Sequence, residues 1–214
     1  LHAILPLRGK ILNTERARMT RILNNKEVKA IVAAVGAGIG ADFRIDDMRY
    51  HRVVIFVDAD VDGGHISSLL LTFFYRHMRP LVEAGRLYLA RAPLYKLSKG
   101  REVEYVLNNA ERDAILASWG GNNGVRISRF KGLGEMSADE MAMTVLSPGV
   151  ELDNDGEEHA SILNPYHVKV TVEDAHRAST LMSRLMGSSV APRRNWLLDT
   201  WETLDVMNGN GDHP

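Results

Sequence analysis

Val53-Val54-Ile55-Phe56-Val57 is an unbroken β-branched and aromatic run, and Asp58-Ala59-Asp60-Val61-Asp62-Gly63-Gly64 follows it without a gap. A continuous apolar run without alternation predicts a strand buried on both faces of a parallel sheet. A helix is expected over residues 65–84, with Leu69, Leu70, Phe73, Phe74, His77, Met78 and Leu81 facing inward and Pro80 kinking it. After Gly85, Leu87-Tyr88-Leu89-Ala90 reads as a second strand, which Leu94 to Leu97 would extend past Pro93. Strand, helix and strand at this spacing make a right-handed βαβ unit, so the core is expected to be α/β with a parallel sheet.

The flanks are less regular. Ala3-Ile4-Leu5-Pro6-Leu7 is a short strand-like run closed by Arg8-Gly9-Lys10. Residues 14–35 read as helix with Thr14 as N-cap, or as two helices broken at Asn24-Asn25. From about residue 101 the pattern changes to helices and irregular segments, with helical periodicity over 173–188 and 192–207. Residues 150–163 carry Glu151, Asp153, Asp155, Glu157 and Glu158 and no Lys or Arg, the composition of an exposed insertion. Two domains are expected, 1–100 and 101–214.

Composition narrows the function classes. A chain of 214 residues, 45% hydrophobic and 25% charged, with net charge −1, is globular and has no global basic excess. Cysteine is absent, which removes disulfides and thiolate metal sites together. No apolar run is long enough for a bilayer or shaped as a signal peptide, so a soluble cytoplasmic protein with no membrane partner is expected. The first residue is Leu1, and the chain reads as a fragment.

Chemistry concentrates at Asp58, Asp60 and Asp62. Ligands of open α/β sheets sit beyond the carboxyl ends of strands. Three carboxylates within five residues repel one another unless a cation compensates, and hard oxygen donors suit magnesium. The eight histidines are scattered and show no paired ligand spacing. An EF-hand also opens Asp-x-Asp-x-Asp-Gly, but a strand precedes the motif here and the twelfth loop position is Leu69, not Glu. A haloacid-dehalogenase-type phosphatase would use Asp58 as nucleophile and Asp60 as acid/base. That reading lacks a hydroxyl residue at position 62 and a later acidic pair. A metal site for phosphodiester chemistry and a solvated strand end are the remaining readings.

Locally the charge is basic: Arg8, Lys10, Arg16, Arg18, Arg21, Lys26 and Lys29 face only Glu15 and Glu27 within the first thirty residues. Such a segment can bind phosphates by charge and counterion release. For Arg16, Arg18 and Arg21, solvating a helix face serves equally well as an explanation. Tyr75, Tyr88 and Tyr95 sit in apolar patterns and read as core, not as nucleophiles. The two glycines of Phe130-Lys-Gly-Leu-Gly-Glu-Met136 permit a tight backbone path or the close approach of a partner.

Taken in order, Leu5-Pro-Leu-Arg-Gly-Lys-Ile-Leu-Asn13, Arg49-Tyr-His51, Asp58-Ala-Asp-Val-Asp-Gly63, Leu69-Leu-Leu-Thr-Phe-Phe-Tyr75, Pro93-Leu-Tyr-Lys96 and Phe130-Lys-Gly-Leu-Gly-Glu-Met136 resemble the B subunits of bacterial type IIA DNA topoisomerases, the gyrase branch first and the topoisomerase IV branch next. The match covers residues 1–149 and resumes at about 168–205. The resemblance implies a TOPRIM domain, Rossmann-like, with its first strand outside this chain, followed by a mostly helical tail. It implies a Mg2+ site of Asp58, Asp60 and Asp62, the first two as the catalytic magnesium-binding pair and Asp62 as the third acidic residue of the cluster. It further implies DNA contact by Lys10 and Asn13, with Arg8 beside them and His65 facing the same cleft. In such enzymes a tyrosine of a partner A subunit attacks double-stranded DNA within an A2B2 heterotetramer. ATP is used by a domain of the intact subunit that this chain does not contain. The family's glutamate, on the first strand, lies upstream of Leu1. Without it, a DNA- or subunit-docking module that no longer cleaves is a further alternative.

Overall fold

The computed structural model describes residues 3–58, 60–147, 149–152, 158–161 and 164–208, the backbone alone for 149–152, 158–161 and 201–208. Two short helices open it, α1 (Met19–Asn24) and α2 (Lys26–Val35). The break expected at Asn24-Asn25 is present because the Asn25 side chain accepts from the Val28 N–H and starts α2 afresh. Thr14 caps neither helix and is buried instead. Residues 3–7 form no strand, and Ile4 stands 79% exposed.

The central βαβ unit is β1 (Val53–Ile55), α3 (Val61–His77), α4 (Arg79–Glu83) and β2 (Leu87–Ala90). β1 and β2 pair in parallel, Val54 opposite Tyr88. A third strand, β8 (His167–Lys169), joins β2 antiparallel, so the sheet order is β1-β2-β8 and the sheet is mixed. Among the described residues β1 is therefore an edge strand. Only Ile55 of it is fully buried and Phe56 is 38% exposed, less burial than the apolar run predicts.

One continuous helix over 65–84 is replaced by two. Pro80 cannot donate to the Arg76 carbonyl, and the chain breaks at Met78 (φ −138°, ψ 43°), which leaves Pro80 in the first turn of α4. α3 also starts four residues earlier than expected, because Asp60 caps it. Its inner face, Leu69, Leu70, Phe73 and Phe74, joins Met78, Leu81, Leu87, Ile22, Val28 and Ile31 in one core. Phe73 is wholly enclosed.

A second core forms on an antiparallel sheet of β3 (Tyr95–Lys99), β4 (Glu102–Val106) and β5 (Arg126–Arg129), in the order β4-β3-β5. Leu94 to Leu97 thus begin a separate sheet and do not prolong β2. Leu97, Val106 and Leu116 of α5 (Asn109–Ser118) pack within it. Strands β4 and β5 come in addition to the helices expected after residue 101. Next come α6 (Ala138–Met143), with a capping box between Ser137 and Glu140, and a hairpin of β6 (Gly149–Leu152) and β7 (Glu158–Ser161). That hairpin holds the described part of the acidic stretch; Asp153, Asp155 and Glu157 lie outside the described residues.

Helices α7 (Ala175–Met186) and α8 (Val190–Asn208) are the last of the described elements. α7 is riveted to α3 by Arg76, whose guanidinium takes both Glu15 oxygens at 2.6 and 3.0 Å and also donates to Ser179 and Ser183. Burial works to raise the Glu15 pKa, but the bonds from Arg76 and Ser183 outweigh it and the carboxyl lies below its usual range. Among the described residues, no helix is long and apolar enough to cross a membrane.

His77, at the end of α3, has its Nε2 buried with no hydrogen-bond partner among the described residues, and burial lowers its pKa. The folded state therefore prefers the neutral ring, while the unfolded chain takes up a proton near pH 6.5. Stability from this group is complete above about pH 6.5 and declines as pH falls below it. The Glu15 contribution fades only below about pH 4.5. Melting curves of the wild type should lose Tm between pH 7 and 5.5 and those of His77→Phe should be flatter. Parallel curves would contradict the assignment.

Candidate metal centre

The acidic loop lies where β1 hands over to α3. Asp60 has extended geometry (φ −112°, ψ 178°) and its Oδ1 accepts from the Gly63 N–H at 2.6 Å, so one carboxylate is built into the start of the helix. The glycine at 63 follows from packing: a Cβ there would run into the Asp58 carbonyl oxygen. The tight return of the chain over Asp58 is what places both aspartates at the carboxyl end of β1.

Each of the three expected aspartates has a different partner. Asp58 Oδ1 accepts from the Leu133 N–H at 2.7 Å, across 75 positions of sequence. Asp60 caps α3. Asp62, in the first turn of α3, meets Lys10 Nζ at 2.6 Å, both side chains being well exposed. The Lys10 hydrogen bond, then its charge, holds the Asp62 carboxyl below the usual carboxylate range, and His65 nearby adds a smaller pull. Among the described residues no three His, Cys, Asp or Glu side chains converge as a ready-made metal cluster.

Magnesium asks for less than that. It keeps several waters and is bound through one or two carboxylates plus substrate phosphates. Asp58 and Asp60 each commit one oxygen to a backbone N–H, and their second oxygens make no protein hydrogen bond among the described residues. A two-carboxylate, all-oxygen set beside the opening turn of a helix fits that requirement.

The other expected contact residues divide. Arg8 and Lys10 are exposed on the loop after Leu7, and Lys10 is tied to the acidic turn through Asp62. His65 is exposed on α3, one turn beyond Asp62. Asn13 is bonded within the protein: its Nδ2 donates to the Met186 carbonyl at 2.8 Å and its Oδ1 accepts from the Glu15 N–H. Arg16 donates to the same Met186 carbonyl, so Asn13 and Arg16 both help seat the end of α7. Tyr75, Tyr88 and Tyr95 are buried, as their apolar patterns predict.

Sequence reasoning missed the partner of Asp58. The segment from Phe130 to Met136 reaches the acidic loop, where a Cβ on Gly132 would lie 3.0 Å from Asp58 Oδ1. The glycine pair was the available signal, a sign of close approach with nothing to say what is approached.

Residues 2–92 match the Toprim domain family. The DNA gyrase B subunit of Staphylococcus epidermidis (strain ATCC 12228) is 49% identical over 197 residues, or 92% of this chain and 28% of that protein. The DNA gyrase B subunit of Staphylococcus aureus is 48% identical over the same shares. The chain thus spans 28% of the length of these curated relatives.

Proposed function

Residues 2–92 are a Toprim domain, within a stretch 48–49% identical to staphylococcal DNA gyrase B subunits, and on that premise we propose that the chain is the magnesium-binding part of a type IIA DNA topoisomerase B subunit. The observation that carries the reading is the pair Asp58 and Asp60, set by the end of β1 and the cap of α3, with cationic Lys10 fixed alongside by Asp62. The substrate is double-stranded DNA, and the nucleophile is a tyrosine of a partner A subunit in an A2B2 assembly in the cytoplasm. ATP is used by another part of the full subunit.

The residues divide the work by chemistry. Asp58 and Asp60 would hold Mg2+, and a cation held there would offset negative charge developing on the scissile phosphate and the leaving oxygen. Lys10 and Arg8, exposed on a glycine-containing loop, bind the phosphate backbone beside that point. Asp62 aims Lys10 toward the acidic turn and keeps it there between DNA encounters. His65 can donate to a phosphate at the same rim. Asn13 contributes by seating α7 under the DNA-facing loop.

Reconstitution tests the proposal. A B subunit carrying this segment, mixed with an A subunit, should convert closed circular duplex DNA to linear product with protein covalently attached, in magnesium and not after chelation. A well-folded complex that binds DNA yet never cleaves it would leave only the docking-module reading. Hydrolysis of a generic phosphate ester by the chain alone would favour the phosphatase reading.

A further inference from the structure

We propose that the Gly132–Leu133 backbone is a positioning element for Asp58, carried to the metal centre by the antiparallel sheet; this rests on the reading of Asp58 as a magnesium ligand. The contact joins two separately cored parts of the chain. Leu133 lies at the start of a short 3-10 turn (Leu133–Glu135), and its N–H donates to Asp58 Oδ1 at 2.7 Å. A charge-assisted bond of this kind fixes one carboxylate oxygen and so orients the other.

The turn is held firmly enough to do this. On one side Phe130 is buried, its N–H bonded to the Leu94 carbonyl and its ring stacked on Tyr105 at 6.5 Å. On the other side Met136 is buried and its N–H bonds the Leu133 carbonyl at 3.1 Å. Within the turn, Glu135 accepts from the Lys131 N–H at 2.8 Å. Beyond it, Glu140 at the start of α6 pairs with Lys96 of β3 at 2.7 Å. The tip therefore moves with the β3–β5 sheet, and the aim of Asp58 depends on that sheet.

Gly132 is what permits the approach. Its backbone is extended (φ −170°, ψ 172°), a conformation open to any residue, so strain is not the reason for glycine here. The reason is space: an added Cβ would sit 3.0 Å from Asp58 Oδ1. Gly134, two residues on, would meet nothing within 4 Å. The two positions make a matched pair, because replacing either by alanine removes similar backbone freedom while only one touches Asp58.

The test is Mn2+ binding by this chain, followed by electron paramagnetic resonance, in the wild type and in Gly132→Ala, Gly134→Ala and Asp58→Ala. Expected are a roughly tenfold weaker affinity in Gly132→Ala, the scale of losing an outer partner of a metal ligand, no change in Gly134→Ala, and loss of binding in Asp58→Ala. If Gly132→Ala binds like the wild type while Asp58→Ala does not, the positioning role is overturned and the metal reading stands. Equal weakening by both glycine replacements overturns it as well, since loop stiffness alone would then be responsible. Unchanged binding in Asp58→Ala would overturn the metal reading itself. Amide hydrogen exchange covers the case where Gly132→Ala does not fold: protection of the Leu133 N–H should fall at least tenfold in Asp58→Ala while Met136 keeps its own. Unaltered Leu133 exchange would contradict the contact.

Discussion

Phe73→Ala should cost about 4 kcal/mol of stability, within the 3–5 kcal/mol typical of deleting a buried aromatic ring. For a domain of this size that is a fall in Tm of roughly 8–16 °C. Phe73 has no exposed surface, lies edge-on to Phe74 at 5.4 Å between ring centroids, and tilts against His77 at 5.7 Å. The buried cluster it belongs to draws on α1, α2, β1 and β2 as well as α3, so its loss leaves a cavity within a shared core. The cost reaches the acidic loop, because Asp60 caps α3 and Phe73 anchors the same helix in the core. Phe73→Leu should cost far less, about 1 kcal/mol. Thermal melts of the two variants settle it, and a Tm for Phe73→Ala within about 3 °C of wild type would mean that the α3 core is not the main support of the fold.

Local order was largely legible in the sequence, and long-range pairing was not. The strand, acidic turn, helix and strand from Val53 to Ala90 could be read because each has its own period or punctuation. The same holds for α7 and α8. Boundaries moved where a single side chain decided them. Asp60 as cap began α3 at Val61, and Pro80 ended it at His77. What failed was pairing between distant short segments. β8 has only three residues, too few for any alternation, yet it lies antiparallel to β2 with Leu89 opposite Val168. Pro93 looked like an interruption within one strand and proved to separate two sheets.

The site shows the same division. Its location and acidic character could be read from the order Val57, Asp58, Asp60, Asp62. The destinations of these side chains could not. Lys10 and Asp62 are 52 positions apart and Asp58 and Leu133 are 75 apart, and charge patterning alone does not say which carboxylate meets which cation. Asn13 is a further case: the resemblance implies a DNA contact, and nothing in the local sequence announces the bond from its amide to the end of α7.

Asp58→Ala should lower magnesium-dependent DNA cleavage by roughly 10²–10³-fold or more, the range seen when a fixed electrostatic contact to a developing negative charge is removed. The variant should still fold, because Asp58 is exposed and its hydrogen bond is to an exposed backbone N–H. DNA affinity should be retained too if, as proposed, the exposed Arg8 and Lys10 make the phosphate contacts. Asp60→Ala should lose cleavage similarly, with a further cost of about 1 kcal/mol in stability from the missing cap. Asp60→Asn separates the two effects, because Asn caps a helix as well as Asp does but offers a metal a neutral ligand. The decisive measurement is double-strand DNA cleavage by the B subunit carrying this segment with its A partner, titrated with magnesium, comparing wild type with Asp58→Ala and Asp60→Asn. Loss of cleavage in both, with melting temperature and DNA affinity preserved, is the result the metal assignment predicts. Cleavage at wild-type rates and wild-type magnesium dependence in either would contradict it, and that aspartate would then serve only to shape the end of β1.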